Sequence, residues 1–487
     1  MEGAVSVVTR VRDWLWLLAI MALGAVLRIY RIDAPLWYDE VQTLVDFARL
    51  PFAEIATRFT SFNNHVFFSL QAHLSLMLFG ENVPALRAPA VIFGVAAIPV
   101  LWALLRQIGL PMIWAHAATL LMAVNYHMIW FSQNARGYSG IVFWGLLALL
   151  LLLRLRQGGG GLVFAGFVIA ASLSIYTHLS AGFFIAALAV VFGFGALRHG
   201  GFARMFWAFA GVGAVTLCLY APVLGQIISM FSPDTIGAPS QHATVLDRSA
   251  ASYVFWALAS ALPIGGLPAI GAMALGIAIL GLGAAEISRR CPGILPVLLV
   301  HLALTALVLL FAKMLIYPRY FLIEVVFLLV FAAVGSFRLA AMIERILPRI
   351  APRGAIAALG ILCGVALSLL WAMRNYDAPK QDIAGAVALV EARKSPGDVT
   401  LSLGLVAAPI SRLYAPEWPE LTSREELETF VQEHTGTIWI VHGFPRHTTR
   451  HYGPILDRLN ADFETAARFP GTLADGAVIV SKYRKTP

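Results

Sequence analysis

Apolar runs of about 20 residues recur along most of this chain, and they constrain its fold more than any other feature. Most are long enough to cross a hydrocarbon layer of roughly 30 Å as a helix. Only 13% of the residues are charged, against roughly a quarter in soluble proteins. The sequence therefore predicts a polytopic α-helical membrane protein with about 11 transmembrane helices. The runs cover residues 14–27, 84–105, 111–131, 139–153, 162–176, 179–197, 206–228, 267–285, 294–311, 320–337 and 355–371.

The basic residues between these runs indicate the orientation of the chain. Residues 65–79 form a short apolar segment that includes His65 and His73, and a segment of this length is typical of a re-entrant or interfacial helix. If it does not cross and the N-terminus is cytoplasmic, the basic clusters all fall in cytoplasmic loops, as the positive-inside rule requires; if it crosses, the later loops change sides. These clusters contain Arg106, Arg154, Arg156, Arg198, Arg204, Arg289, Arg290, Arg338, Arg345, Arg349 and Arg353.

The first layout predicts a multi-pass protein of the inner (plasma) membrane. The net charge of +8 then reflects membrane topology and contact with the lipid bilayer, and no nucleic-acid partner is expected. Arg10 and Arg12 precede residues 14–27, but no small-residue cleavage site follows, so we expect an uncleaved first helix. Arg28 and Arg31 are expected to anchor its end at the membrane interface.

The character of the chain changes after residue 373. We predict a transmembrane domain at 1–373, with a first exterior loop at about 28–65, and a soluble α/β domain at 374–487 on the extracytoplasmic side. Short buried strands are expected at 399–406, 437–443 and 477–482, and helices at 381–393, 423–433 and 454–459. Ser423 and Glu426 have the spacing of a capping box.

Asp39 and Glu40 stand side by side in the first exterior loop, within the sequence LWYDEV at 36–41. Adjacent side chains point in different directions, so the two carboxylates are unlike a paired dyad. One can act as a base or metal ligand while the other orients it. The alternative is that both are solvated charges in a juxtamembrane loop that also contains Asp33 and Asp46.

Three further polar positions fall on the same predicted side of the membrane. His65 lies where the first exterior loop returns to lipid, and His178 lies between two apolar runs with almost no loop. Polar groups at such depth tend to be functional. Arg136 and Tyr138 belong to the polar patch SQNARGY at 132–138, which suits an anionic group such as a phosphate. The alternative for Arg136 is a snorkelling interfacial side chain.

Another exterior helix boundary carries Lys313, Arg319 and Tyr320. Cations on the exterior oppose the positive-inside rule, so we infer that they face an anionic partner. Carboxylates, histidines and cations on one side suit a substrate with a lipid tail, a phosphate and a group to be transferred. A carboxylate can take the proton of an acceptor hydroxyl, and cations can stabilise a departing phosphate.

The order of these motifs resembles the polyprenyl-phosphate-dependent glycosyltransferases of the GT-C fold. It is similar to the bacterial branch related to protein mannosyltransferases, lipid A aminoarabinose transferases and rhizobial core transferases. The resemblance covers about residues 14–330. It is carried by LWYDE at 36–40, His65 with Phe67 and Phe68, LFG at 78–80, ALR at 85–87, SQNARGY at 132–138, YTH at 176–178 and PRYFL at 318–322.

The resemblance implies an inverting transfer of a sugar from a polyprenyl-phosphate donor to an envelope glycan, lipid or protein. Asp39 would be the base with Glu40 beside it. His65, Arg136, Tyr138, His178, Lys313, Arg319 and Tyr320 would bind the substrate. Val66 and Phe67 follow His65 where many members have prolines, and Asn134 stands where many have Glu. These departures leave open whether a divalent metal ion is a cofactor.

Two other functions compete with this interpretation. A transporter or flippase of lipid-linked glycan intermediates would predict inverted repeats and broken helices, and no internal repeat is found in the sequence. A non-catalytic envelope scaffold would give no reason for cations at Arg319. The glycosyltransferase is therefore the leading hypothesis.

Overall fold

The computed structural model describes residues 2–230, 267–311, 317–346, 354–473 and 475–484. Lys313, Arg349 and Arg353 lie outside the described residues. The described α-helices of the N-terminal part are α1 Glu2–Ile29, α2 Tyr38–Gln42, α3 Phe52–Thr57, α4 Val66–Phe79, α5 Val83–Gln107, α6 Met112–Val124, α7 Tyr126–Ser132, α8 Tyr138–Arg156, α9 Gly161–Thr177, α10 Ala181–His199, α11 Phe202–Tyr220 and α12 Leu224–Met230. The later ones are α13 Leu267–Arg290, α14 Ile294–Phe311, α15 Leu322–Ile346, α16 Ala355–Asp377, α17 Ile383–Arg393, α18 Arg424–Glu433, α19 Pro445–His451 and α20 Gly453–Asp462.

Eight helices among the described residues are long and apolar enough to cross a membrane. They confirm a multi-pass helical membrane protein, although the expected count of eleven stays a prediction. Three shorter apolar helices include α4, which has 14 residues. At 1.5 Å per residue it spans only about 21 Å, so whether it crosses also remains a prediction. The eight cover Val83–Gln107, Tyr138–Arg156, Ala181–His199, Phe202–Met230, Gly271–Arg290, Ile294–Phe311, Arg319–Ile346 and Ala355–Asp377.

The apolar run at 111–131 is not one helix. It is divided at Asn125, whose backbone is extended (φ −64°, ψ 130°), into α6 and α7. The Asn125 side chain accepts a hydrogen bond from the Met128 N–H at 3.2 Å and so caps α7, a role for which Asn is well suited. The break matters because α7 leads directly into the polar patch at 132–138.

The chain divides into two compact units. The first unit contains Met1–Tyr30, Ala56–Phe68 and Pro89–Leu370. Its helices α13 and α15 cross with their backbones in close approach. A Cβ atom at Gly283 would lie 1.9 Å from the Phe331 carbonyl oxygen, and one at Gly335 would lie 1.9 Å from that of Ile279. Small residues that allow such an approach are typical of packing between membrane helices.

The second unit contains Arg31–Ile55, Ser69–Ala88 and Trp371–Pro487. Its sheet has five described strands: β1 Val399–Leu403, β2 Glu420–Leu421, β3 Ile438–Gly443, β4 Glu464–Phe469 and β5 Val478–Tyr483. Their order in the sheet is β2-β1-β3-β5-β4. Strands β2, β1 and β3 pair in parallel, whereas β5 pairs antiparallel with both β3 and β4.

Alternating residues of β3 build a core on each face of this sheet. Trp439 and Val441 pack with residues of α17 on one face, while Ile438 and Ile440 pack with residues of α18 and α20 on the other. A small soluble-type α/β fold at this end of the chain is thus confirmed. The domain boundary between residues 373 and 374 stays a prediction, since the second unit also takes in two earlier segments.

Candidate functional site

In the second unit, the acidic motif is held in place by a buried ion pair. The guanidinium of Arg87, near the start of α5, donates to both carboxylate oxygens of Glu40, at 2.8 and 2.6 Å. Both side chains are fully buried, with exposed fractions of 0% for Glu40 and 2% for Arg87. Arg87 also donates to the carbonyl oxygens of Ile32 and Ala34 at 2.7 Å. One arginine thereby fixes both the carboxylate and the loop that precedes it.

The two adjacent acids of α2 have different surroundings. The Glu40 carboxylate forms an ion pair with Arg87, and it also accepts a hydrogen bond from the Trp37 N–H at 3.5 Å. Asp39 is only partly buried, and its backbone carbonyl accepts from the Thr43 hydroxyl at 2.9 Å. The prediction that these carboxylates point in different directions is consistent with this arrangement. Of the two side chains, that of Asp39 is the more exposed.

Side chains from the C-terminal part of the same unit contact the acidic motif. The Gln381 side-chain oxygen accepts from the Tyr38 N–H at 3.2 Å, and the Tyr414 hydroxyl donates to the Leu36 carbonyl at 2.7 Å. Arg412 forms an ion pair with Asp46. The α/β fold therefore supports the segment that carries Asp39.

Lys380 is a buried cation in the same unit. Its exposed fraction is 8%. Burial lowers the pKa of Lys380 to about 7, the Glu40 carboxylate partly opposes this shift, and the Arg87 guanidinium adds to it. Sequence patterns did not single out Lys380 or Gln381. Arg87 was noted only within the ALR motif at 85–87 of the family resemblance, and no role in the site was predicted for it.

In the first unit, His65 is the centre of a second cluster. Its Nδ1 accepts from the Gly137 N–H at 3.0 Å, and its Nε2 lies 3.0 Å from Nη2 of Arg136. His65 and Arg136 are 2% and 3% exposed. Because a backbone N–H can only donate, a neutral His65 carries its proton on Nε2. Nε2 is also the His65 atom that contacts the Arg136 guanidinium.

Aromatic rings surround this contact. The His65 ring centroid lies 4.4 Å from that of His178 and 5.0 Å from that of Tyr138. The Arg136 guanidinium lies 5.2 Å from the Tyr138 ring centroid. His178 follows the last residue of α9, and its Nδ1 accepts from the Ser180 N–H at 3.1 Å. The structure thus brings together four of the predicted substrate-binding residues.

Gly137 is required for this packing. A Cβ atom there would lie 2.9 Å from Nδ1 of His65 and 2.6 Å from the Thr177 methyl group. Any larger residue would push the imidazole away from the backbone N–H that sets its tautomer.

Both imidazoles are held in the neutral form. Burial, followed by the charges of His178, Arg136 and Arg319, lowers the pKa of His65 well below its usual range. Burial and the charges of Arg136 and Arg319 lower the pKa of His178 to about 3. The cluster is cationic through its arginines, and its histidines act as polar, uncharged groups.

Arg319 and Tyr320 lie on the 3₁₀ turn Pro318–Phe321 that precedes α15. The Arg319 guanidinium lies 4.2 Å from the Tyr317 ring centroid and 5.7 Å from that of Tyr320. A small cavity begins here, and its lining includes Arg319, Tyr320 and Ser180. Since the Ser180 hydroxyl lies 2.7 Å from Nδ1 of His178, the cavity adjoins the His65 cluster.

The expected interfacial anchor at the end of α1 is wrong for Arg28. This side chain is fully buried, and it donates to the Ser132 hydroxyl at 3.1 Å and the Ala123 carbonyl at 2.8 Å. The Gln133 side chain donates in turn to the Tyr30 carbonyl at 2.6 Å. Arg28 therefore holds the polar patch at 132–138 against the end of α1, because an arginine inside a helical bundle needs internal acceptors.

The described residues do not form a site for a divalent metal ion. Among them, no three His, Cys, Asp or Glu side chains converge in a way that could hold one. Nδ1 of His65 already accepts from the Gly137 N–H, so within the described part of the chain the donor set does not fit a metal centre, and no step is assigned to one.

No family model matches this sequence, and no curated protein is similar to it. Solved structures do resemble it. ArnT from Cupriavidus metallidurans in the apo state aligns over 99% of this chain and 98% of its own, with a TM-score of 0.53 and 14% identity. ArnT bound to undecaprenyl phosphate aligns over 96% and 97%, with a TM-score of 0.51 and 16% identity. The apo oligosaccharyltransferase of Archaeoglobus fulgidus aligns over 89% and 69%, with a TM-score of 0.52 and 13% identity.

The chain has the GT-C fold. The predicted fold class is thereby confirmed, and the likeness to ArnT extends over the C-terminal α/β part as well as the membrane helices. The fold alone does not assign roles to residues. The roles of Asp39, Glu40 and the substrate-binding residues must be argued from the two clusters themselves.

Proposed function

We propose that this GT-C protein is an integral-membrane glycosyltransferase that moves a sugar from a polyprenyl-phosphate donor to an envelope glycan, lipid or protein. The observation that carries the proposal is the buried cluster in which the Arg136 guanidinium contacts the His65 imidazole and the rings of His65 and His178 lie 4.4 Å apart. A guanidinium in such a cluster suits a phosphate, with which it forms charge-assisted hydrogen bonds. ArnT, which shares the fold, has been observed with undecaprenyl phosphate bound.

The cationic residues of the first unit take the phosphate in this proposal. Arg136 and Arg319 supply fixed positive charge, while neutral His65 and His178 supply hydrogen bonds. Preorganised donors of this kind stabilise the charge that develops on a departing phosphate. Tyr138 packs beside Arg136 and helps to keep its guanidinium in place.

In this proposal Asp39, with Glu40 beside it, carries out the acid/base step. Asp39 accepts the proton of the acceptor hydroxyl as the hydroxyl oxygen bonds to the anomeric carbon of the sugar. The bond from that carbon to the phosphate oxygen breaks, and polyprenyl phosphate leaves. Attack opposite the leaving group inverts the anomeric configuration. Glu40, neutralised by Arg87, holds the segment that carries Asp39.

We propose the inner membrane as the location, with the active site and the C-terminal domain on the extracytoplasmic side. This assignment is supported by the arginines at the ends of α8 and α10, Arg154, Arg156 and Arg198, which the positive-inside rule places in the cytoplasm.

Complementation of a deletion strain tests the function. Loss of a general base costs about 10²- to 10⁴-fold in rate, so Asp39→Asn should fail to restore the envelope sugar that the deletion removes. Asp33→Asn is the matched control, because Asp33 is an exposed carboxylate of the same loop. Mass spectrometry of envelope glycans and lipids gives the readout, with protein levels checked by immunoblot.

If the Asp39→Asn variant restores the sugar to the wild-type level, Asp39 is not the general base. Loss of the sugar together with a lipid-linked intermediate accumulating on the cytoplasmic side of the deletion strain would instead identify a flippase.

A further inference from the structure

Three arginines surround one buried glutamate beside the crossing of α13 and α15 in the first unit. The Oε1 atom of Glu286, in the last turns of α13, accepts from Nε of Arg290 at 2.8 Å. Its Oε2 atom lies 3.5 Å from Nε of Arg338 in α15 and 3.8 Å from Nη1 of Arg289. Three positive charges against one negative charge leave this arginine cluster with a net charge of +2.

The three arginines differ in how far the protein uses their N–H donors. The Arg290 guanidinium donates to Glu286 and also to the carbonyl oxygen of Gly109. Within the described part of the chain, neither Arg289 nor Arg338 donates a side-chain hydrogen bond. Their side chains are 69% and 38% exposed. Two guanidinium groups with available donors therefore lie beside a carboxylate that already accepts from a third.

The close approach of the two helices fixes the position of this arginine cluster. Gly283 and Gly335 meet at the crossing, where a Cβ atom on either would lie 1.9 Å from a backbone carbonyl oxygen of the other helix. Glu286 follows Gly283 by three residues, and Arg338 follows Gly335 by three. Since packed helices separate again on each side of their crossing, the arginines flank a wedge between α13 and α15.

The surface of α13 next to Arg289 is apolar and shallow. Gly281, Ala285 and Arg289 follow one another at intervals of four residues, so they share one face of the helix. All three are exposed, and a Cβ atom at Gly281 would meet nothing within 4 Å among the described residues. A lipid headgroup at Arg289 would therefore leave its acyl chain room to lie along this face. In the orientation proposed above, this end of α13 lies in the cytoplasmic leaflet.

The charge of the wedge fits an anionic phospholipid with two phosphates. Guanidinium groups form charge-assisted hydrogen bonds with phosphate oxygens, and basic pockets between membrane helices bind the headgroup of cardiolipin. Cardiolipin has one phosphate for Arg289 and one for Arg338, and its two negative charges balance the net charge of the cluster. Phosphatidylglycerol, with a single phosphate, would leave one guanidinium without an anion.

We propose that the wedge between α13 and α15, flanked by Arg289 and Arg338, is a binding site for cardiolipin. The site is separate from the proposed sugar transfer, because none of its residues belongs to the His65 cluster or to the acidic motif.

Native mass spectrometry of the full-length protein, freed of lipid in detergent, tests the site. The probes are tetraoleoyl cardiolipin, dioleoylphosphatidylglycerol and dioleoylphosphatidylethanolamine. An arginine near an anionic lipid contributes about fivefold in affinity. We therefore expect wild-type protein to bind cardiolipin about fivefold more tightly than phosphatidylglycerol. Arg289→Gln combined with Arg338→Gln should weaken cardiolipin binding about 25-fold.

Arg154→Gln combined with Arg198→Gln is the matched control. These two arginines are exposed at the ends of α8 and α10, and their loss changes the net charge by the same amount. The control should keep its affinity for cardiolipin within about twofold. If the first double variant fails to fold, Arg289→Gln alone keeps the test decisive, because this exposed side chain can be replaced without disturbing the core. It should weaken binding about fivefold.

Three results would overturn the site. Equal losses in the two double variants would identify a general attraction between a basic surface and anionic lipid. Equal wild-type affinities for cardiolipin and phosphatidylethanolamine would show that the headgroup is not recognised. Displacement of cardiolipin by an equal concentration of inorganic pyrophosphate would identify a soluble phosphate as the ligand. Failure of the sugar-transfer experiment would leave all three measurements unaffected, so the two proposals can fail independently.

Discussion

At the scale of single residues, removing one partner of the buried pair of Glu40 and Arg87 should destabilise the protein more than removing one partner of an exposed ion pair. Glu40→Ala would leave the Arg87 guanidinium buried without its carboxylate, and such a loss costs about 3–5 kcal/mol. Chemical unfolding of the purified protein in detergent measures the effect. Replacement of both partners, as in Glu40→Leu with Arg87→Met, should recover part of the loss because no charge is then left buried.

The ion pair of Arg49 with Glu81 is a matched control for this prediction. Its atoms approach to 2.6 Å, like those of the buried pair, but the side chains are 36% and 51% exposed. Glu81→Ala should therefore change stability by only about 0–1 kcal/mol. Similar losses for Glu40→Ala and Glu81→Ala would contradict the importance of burial.

The same residues show how much of the candidate site could be predicted from the sequence. The acidic pair at 39–40 and the polar residues at 65, 136, 138 and 178 stand out because polar side chains are rare in this chain. Arg87 was noted only as part of the family motif ALR at 85–87, and its pairing with Glu40 spans 47 positions. Gln381 meets Tyr38 across 343 positions. No local pattern encodes such pairings, so they become visible only after folding. The roles of all the site residues stay predictions.

At the scale of elements, apolar runs predict that a helix or strand exists but do not predict well where it begins and ends. The three predicted strands are confirmed as β1, β3 and β5, whose residues are mostly buried. β4 was missed because its residues are largely exposed, with Glu464 and Arg468 among them. The division of residues 111–131 at Asn125 was missed because a run that is apolar on all sides has no periodicity to interrupt.

The contacts of Tyr414 predict that the α/β fold affects catalysis through the first exterior loop. Tyr414→Phe removes the hydroxyl that donates to the Leu36 carbonyl at 2.7 Å, a loss of about 1 kcal/mol. A looser loop holds Asp39 less well, so kcat for sugar transfer should fall several-fold while KM for the lipid donor stays constant. Steady-state kinetics of the reconstituted enzyme provides the measurement.

Tyr452→Phe serves as the control for Tyr414→Phe. Tyr452 is a partly buried tyrosine in the same α/β fold, and it packs against the core formed by β1 and β3. Its variant should keep the wild-type kcat. A parallel rise in KM for Tyr414→Phe, or an equal effect of both substitutions, would show that the domain acts through general stability and not through the loop.

At the scale of the whole molecule, the proposed chemistry depends on the side of the membrane that each loop faces. Apolar runs establish the crossings but not their direction, and direction was inferred from arginines alone. One misjudged crossing, such as α4, would invert every later loop and move the C-terminal domain to the cytoplasm. The proposed transfer of a sugar to envelope acceptors outside the inner membrane would then no longer be supported.

Single-cysteine labelling decides this orientation. In a variant whose native cysteines are replaced by alanine, Asp33→Cys and Ser395→Cys should react with a membrane-impermeant maleimide in intact spheroplasts, because both positions are exposed and predicted to be extracytoplasmic. His199→Cys, at the end of α10 beside Arg198, should react only after the membrane is permeabilised.

Labelling of position 33 outside and position 395 inside would show that an odd number of additional crossings separates them. In that case Asp39 could still act outside, but the support of its loop by Gln381 and Tyr414 would be excluded. The native cysteines to be replaced are Cys218, Cys291 and Cys363.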